Sequence, residues 1–149
     1  MRRIAVVLGA MALGIALVGA GMAPVEVHAR QGMSEADFDA VMKRTGPAFG
    51  GLRKALEASS AEMAAQQTAV LAQAFAETET FWKGRNKEDA AGWAAEARAA
   101  VAAIDGHVKA ANWEGAQASA KQLQGSCASC HTAYRDKAED GSYRIKPGS

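Results

Sequence analysis

Two thiols and an imidazole stand within five residues, as Cys127-Ala128-Ser129-Cys130-His131. These are the only cysteines of the 149-residue chain. Cys-x-x-Cys-His is the attachment spacing of a c-type haem. Each thiol can add across one haem vinyl group to give a thioether, and the histidine that follows then reaches the iron from the same side. On a helix, Cys127 and His131 lie four residues apart and share one face. Three other chemistries compete. A thioredoxin-like redox pair needs a βαβ setting, of which the sequence shows no sign. A disulfide across three positions closes a very small loop and stabilises little. A zinc ion would need Cys127, Cys130, His131 and His107, and adjacent Cys130 and His131 suit a tetrahedral site poorly. Covalent haem attachment is the expected chemistry.

Thioether formation belongs to an exported protein, and the start of the chain reads that way. Arg2 and Arg3 precede an uncharged apolar run from Ile4 to Ala23, followed by Pro24 and Val27-His28-Ala29. A basic start, an apolar middle and a small-x-small end form a secretory leader, here expected to be cleaved after Ala29. The rival is a retained anchor, since 20 apolar residues could span a bilayer. Export also explains why the cysteines need a purpose, because free thiols seldom persist in an oxidising compartment. The leader takes two of the 17 basic residues and one of the 16 acidic ones, leaving 15 of each in residues 30–149. That balance, with no basic block, gives no electrostatic case for nucleic acid or a polybasic membrane surface.

The elements that must position the motif are helical. The region beyond residue 30 is rich in Ala, Glu, Gln, Lys and Leu. Apolar spacing predicts a helix from Ser34 to Glu57, capped by Ser34 with Asp37, with Phe38, Val41, Met42, Thr45, Phe49, Leu52 and Leu56 as its stripe. Pro47 should kink or break it. A second helix is predicted from Ser60 to Trp82, ending at Gly84, with Met63, Val70, Leu71, Ala74, Phe75, Thr78 and Phe81 facing inward. The third should follow a cap at Asn86, and the fourth a cap at Asn112. The fourth carries Leu123, Cys127, His131 and Tyr134 on one face, which would lead a haem into the interior. Short connections predict an all-α, antiparallel up-down-up-down four-helix bundle over residues 30–138 enclosing one haem. No sheet is expected, and residues 139–149 read as a loosely packed polar tail. Many inward positions are alanine, so the bundle either closes tightly or encloses something bulky.

An attachment motif near the end of an exported four-helix chain resembles the class II c-type cytochromes, the cytochrome c′ and cytochrome c-556 family. The likeness is most specific from Cys127 to Arg135, read as Cys-x-x-Cys-His-x-x-Tyr-Arg, and weaker around Val41-Met42-Lys43 and Phe49-Gly50. It implies thioethers at Cys127 and Cys130, His131 as the proximal iron ligand, Met42 at the distal position and Arg135 near a haem propionate. Met33 and Met63 are rival methionines away from that position. Tyr134 would pack beside the ring, with Trp82 or Trp93 as a wall. Two departures stand out: Phe38 occupies the place where some members hold a propionate-facing arginine, and Pro47 interrupts a usually continuous helix.

The expected function is a periplasmic monohaem electron carrier with a low-spin His/Met iron, not an enzyme. It would serve redox partner proteins whose identity the sequence does not give, and a homodimer is compatible with the resemblance. The alternative is a five-coordinate, high-spin protein of the same fold binding NO or CO. A helical adaptor with a structural disulfide or zinc is the third reading.

Overall fold

A computed structural model describes residues 32–148; the expected leader and its cleavage after Ala29 lie outside them. Four helices follow in order: α1 (Glu35–Glu57), α2 (Ala61–Gly84), α3 (Glu88–Lys109) and α4 (Trp113–Tyr134). The described part is thus an all-helical, four-helix fold apart from one small hairpin, and it is compatible with a helical bundle. No helix among the described residues is long and apolar enough to cross a membrane.

α1 starts as its sequence predicts. Ser34 Oγ accepts from the Asp37 N–H at 3.1 Å, and the Ser34 N–H donates to Asp37 Oδ2 at 3.1 Å, a reciprocal capping box. The Ser34 hydroxyl, donating to Asp37 Oδ2 at 2.6 Å, and then the Ser34 N–H hold the Asp37 carboxyl below its ordinary value. Of the kink or break expected at Pro47, the break does not occur, for α1 runs through it. Proline removes one N–H donor, but Pro47 and Lys43, whose carbonyl loses that donor, are both exposed. Water can take up the carbonyl there. Buried Val41, Thr45, Ala48 and Leu52 anchor the helix on both sides of the proline.

The three helix connections share one device. Ser59, Asn86 and Ala111 adopt left-handed φ values of 51°, 57° and 52°. The next N–H in each case reaches back to a helix carbonyl: Ser60 to Ala55, Lys87 to Trp82, Asn112 to His107. This is the Schellman closure. It corrects the expectation for Asn86, which is the left-handed residue and not the cap of α3, a role that asparagine fills at low steric cost. Asn112 does cap α4, accepting from the Gly115 N–H at 2.9 Å. Gly115 is required there, since a Cβ would come within 2.7 Å of the His107 ring.

One core runs along the helices through Leu52, Leu56, Leu71, Phe75, Val101, Ile104 and Leu123, with alanines filling between them. A second cluster gathers Phe38, Phe81, Trp82, Ala90 and Ala91, where the start of α1, the end of α2 and the start of α3 meet. Phe38 and Phe81 stack at 4.0 Å between centroids. Two expected stripe members are corrected, because Met63 (46%) and Val70 (39%) are exposed. The inward face of α2 is fixed by Ala64, Thr68, Leu71, Ala74 and Phe75, which leaves those two on its flank.

Glu79 is the most buried acid described, and it ties α2 to α3. Lys83 Nζ lies 2.6 Å from Oε1, and Arg98 Nη1 lies 2.9 Å from Oε2. The Lys83 hydrogen bond holds its carboxyl below the ordinary value of 4.5, against the opposing effect of burial. A depressed folded value means the carboxylate stabilises the fold above the unfolded value and loses that effect as pH falls through the folded one. Glu79→Gln should therefore lower the thermal midpoint at pH 7, and the gap from the parent protein should narrow toward pH 3. Melting curves across that range check it; a gap independent of pH would contradict it.

The end of the chain departs from expectation. Part of the stretch read as a loose tail, β2 (Tyr143–Ile145), pairs antiparallel with β1 (Arg135–Lys137), which follows α4 directly, in the register Arg135 to Ile145 and Lys137 to Tyr143. Asp140-Gly141 supplies the turn, with Gly141 at φ 83°. Ile145 packs against the second cluster, and the Lys146 N–H donates to the Tyr134 carbonyl at 2.8 Å.

Candidate functional site

α1 is in contact with α2, α2 with α3 and α3 with α4 over long stretches, whereas α1 meets α4 only briefly. That loose seam opens as a groove of about 590 Å³. Phe49 and Arg53 line it from α1, Cys127 and His131 from α4, and Arg135, Lys137 and Tyr143 from the hairpin. The expected sharing of a helix face by Cys127 and His131 is seen, since both open onto this groove. Cys130, on the other flank of α4, packs against the second cluster with Trp93 and Tyr134.

The chemistry of these groups narrows what they can do. Both thiols are free and half-buried. Burial pushes the Cys127 thiol up, and burial, then Cys127 and Asp89, push Cys130 up to about 11. A nucleophilic redox cysteine has the opposite tuning, so a thioredoxin-like pair is poorly served. His131 is held below its ordinary value, first by burial and then by the Arg135 charge. Its ring is therefore neutral near pH 7 and able to offer a nitrogen lone pair, and among the described residues no side chain or backbone group hydrogen-bonds to it. The zinc alternative loses its fourth ligand: His107 sits beside Asn112, 3.3 Å away, at the opposite end of α4 from the motif. Among the described residues no three His, Cys, Asp or Glu side chains cluster to hold a metal ion.

Arg135 lies one residue beyond α4, on extended backbone at φ −97° and ψ 132°, although its N–H still donates to the His131 carbonyl. Its guanidinium carbon sits 4.4 Å from the Tyr143 ring centroid. Arg53, Arg135 and Lys137 make no ion pair among the described residues; Asp136, the one acid lining the groove, is paired with Arg144 at 3.2 Å. Arg53 and Tyr143 were not singled out from sequence. Arg53 could have been, since it falls four residues beyond Phe49 on the same helical face. The signal for Tyr143 was the Asp140-Gly141 turn.

Met42 is not among the residues lining the groove. It is half-buried and packs on the second cluster, as does Met33. Tyr134 and Trp82 sit in the same region at 4.6 Å, with Trp93 6.4 Å from Tyr134. The Tyr134 hydroxyl donates to Asp89 Oδ1 at 2.7 Å, a bond that pushes its own pKa up to about 12 and holds Asp89 down.

No protein-family model, no curated protein and no solved structure matches this chain.

The donor set itself fits a covalent haem. Two protonated thiols on one helix turn can each become a thioether, and one neutral imidazole faces a partly apolar groove. The groove volume is within the range of about 300–1,000 Å³ usual for cofactor sites. Trp82, 1% exposed, leaves Nε1 without a hydrogen-bond acceptor among the described residues, so the second cluster also has a donor to spare.

Proposed function

We propose that this chain is a class II c-type cytochrome, an exported monohaem electron carrier of the periplasm. Its single strongest support is that Cys127 and His131 open together onto a groove whose other charged lining is dominated by unpaired cations. In this reading Cys127 and Cys130 hold the haem covalently, His131 is the proximal ligand and Met42 the distal one. When bound, the haem supplies a one-electron iron couple. The protein holds the ring, keeps water from it with Phe49 and the aromatic cluster, and offers Arg135 to a propionate through two parallel donors. The helices form an up-down-up-down bundle: the ends that meet in the second cluster alternate between starts and finishes, which supports that topology. Redox proteins are the partners.

One observation favours the second reading, a five-coordinate protein that binds small gases. On the α1 side the groove wall is Phe49 and Arg53, neither of them a usual iron ligand, while Met42 packs on the neighbouring cluster. The spectrum separates the two. Full-length protein from a host able to attach c-type haem should be red, should keep its haem through acidified organic solvent, and should be low-spin when oxidised. A high-spin oxidised spectrum with fast carbon monoxide uptake replaces the electron carrier by the gas binder. A colourless product with two free thiols overturns both.

A further inference from the structure

Tyr143 is 59% exposed, yet it is anchored. Strand β2 pairs with β1, Arg144 is paired with Asp136 across the strands, and Lys146 is bonded to α4 through the Tyr134 and Thr132 carbonyls. Arg135 stands opposite Ile145 in the hairpin, so Tyr143 is its diagonal neighbour on the same face, within reach of a long side chain. The guanidinium carbon lies over the Tyr143 ring, 4.4 Å from its centroid. The guanidinium N–H donors make no hydrogen bond or ion pair among the described residues, and these are the donors that grip a carboxylate side by side. Both side chains line the groove that Cys127 and His131 line.

We propose that Tyr143 is a positioning residue: its ring holds the Arg135 guanidinium in the groove with its in-plane donors available to an anionic group bound there. Resting on the haem reading above, the anion is a haem carboxylate, and the hairpin is the part of this chain that sets the charge beside it. An exposed cation–π contact is weak, so the ring biases the population of the stacked guanidinium by about two- to fivefold and does not fix it.

The test is a double-substitution cycle on the full chain. Its first measurement is the haem content. With haem attached, the readout is the midpoint potential. Tyr143→Leu should move it in the same direction as Arg135→Leu and by less. Tyr143→Phe, which keeps the ring, should match the parent protein. Tyr143→Leu added to Arg135→Leu should change nothing further. An unchanged potential in Tyr143→Leu, full additivity in the double variant, or a Phe variant that behaves like Leu overturns the proposal; a hairpin merely loosened by the change would give additivity. If no haem is attached, the functional reading has failed and the stacking is tested on the free thiols. The rate of Cys127 modification by anionic dithiobis(nitrobenzoate), relative to neutral iodoacetamide, should then fall about two- to fivefold in Tyr143→Leu and not fall further in the double variant. An unchanged ratio overturns the positioning role.

Discussion

Replacing both Cys127 and Cys130 by serine should take covalently held haem from about one per chain to none. The two sulfurs are the only ones able to form thioethers, and both sit half-buried on one turn of α4. Any haem that the double variant retains should leave in acidified organic solvent. Each single variant should keep the haem through its remaining sulfur. One vinyl group then stays unsaturated and conjugated with the ring, so the band of the alkaline pyridine complex should move to longer wavelength. The double variant should also melt at lower temperature. Without the ring, the apolar surface that Phe49 and Ala128 present in the groove has nothing to pack against. Haem that stays non-extractable in the double variant would contradict the attachment.

Met42→Ala has the second largest expected effect, because a sixth axial ligand decides the spin state of a haem iron. If Met42 sulfur completes the axial pair, the parent protein is low-spin, shows the weak red charge-transfer band of an iron–thioether bond, and takes up carbon monoxide only after the sulfur leaves. The alanine variant should then be high-spin and five-coordinate, bind carbon monoxide faster and have a lower midpoint potential, since thioether ligation favours ferrous iron. Stability is a poor reporter here. Met42 is only half-buried, so the cavity cost falls toward or below the low end of the roughly 2–5 kcal/mol of a fully buried methionine. Oxidised-state absorption and carbon monoxide kinetics are the checks. Identical spectra for Met42→Ala and its parent would remove Met42 from the iron.

Each part of the chain was legible in sequence to the extent that its signal is local. The capping box at Ser34 and Asp37 and the Asn112 cap were readable because each is a contact across three residues. Helix existence followed from composition and a 3.6-residue apolar period, and so did the shared face of Cys127 and His131. The misreadings are as instructive. Pro47 reads as a kink or break because the missing donor is local, while the packing of Thr45, Ala48 and Leu52 that carries α1 through it unbroken is not. Met63 and Val70 fit an apolar period, but which flank of α2 faces inward depends on α1 and α3. The hairpin leaves little mark in the sequence because two three-residue strands are too short for an alternation to register, even with Asp140-Gly141 between them.

What the sequence determined by itself is the chemistry: two thiols and an imidazole at an attachment spacing, on a helix, in a chain with no other cysteine. Those are properties of residue type and of separations along one helix, and covalent geometry sets them before any fold exists. The tertiary structure decided which groups meet the motif. The brief contact between α1 and α4 opens a groove beside Cys127 and His131, brings to it Arg53, 78 positions before His131 in the chain, and leaves Met42 in a different cluster. It also folds the last residues back so that Tyr143 lies under Arg135. Contacts between distant segments depend on how helix faces pack, and a one-dimensional pattern fixes the faces but not their partners.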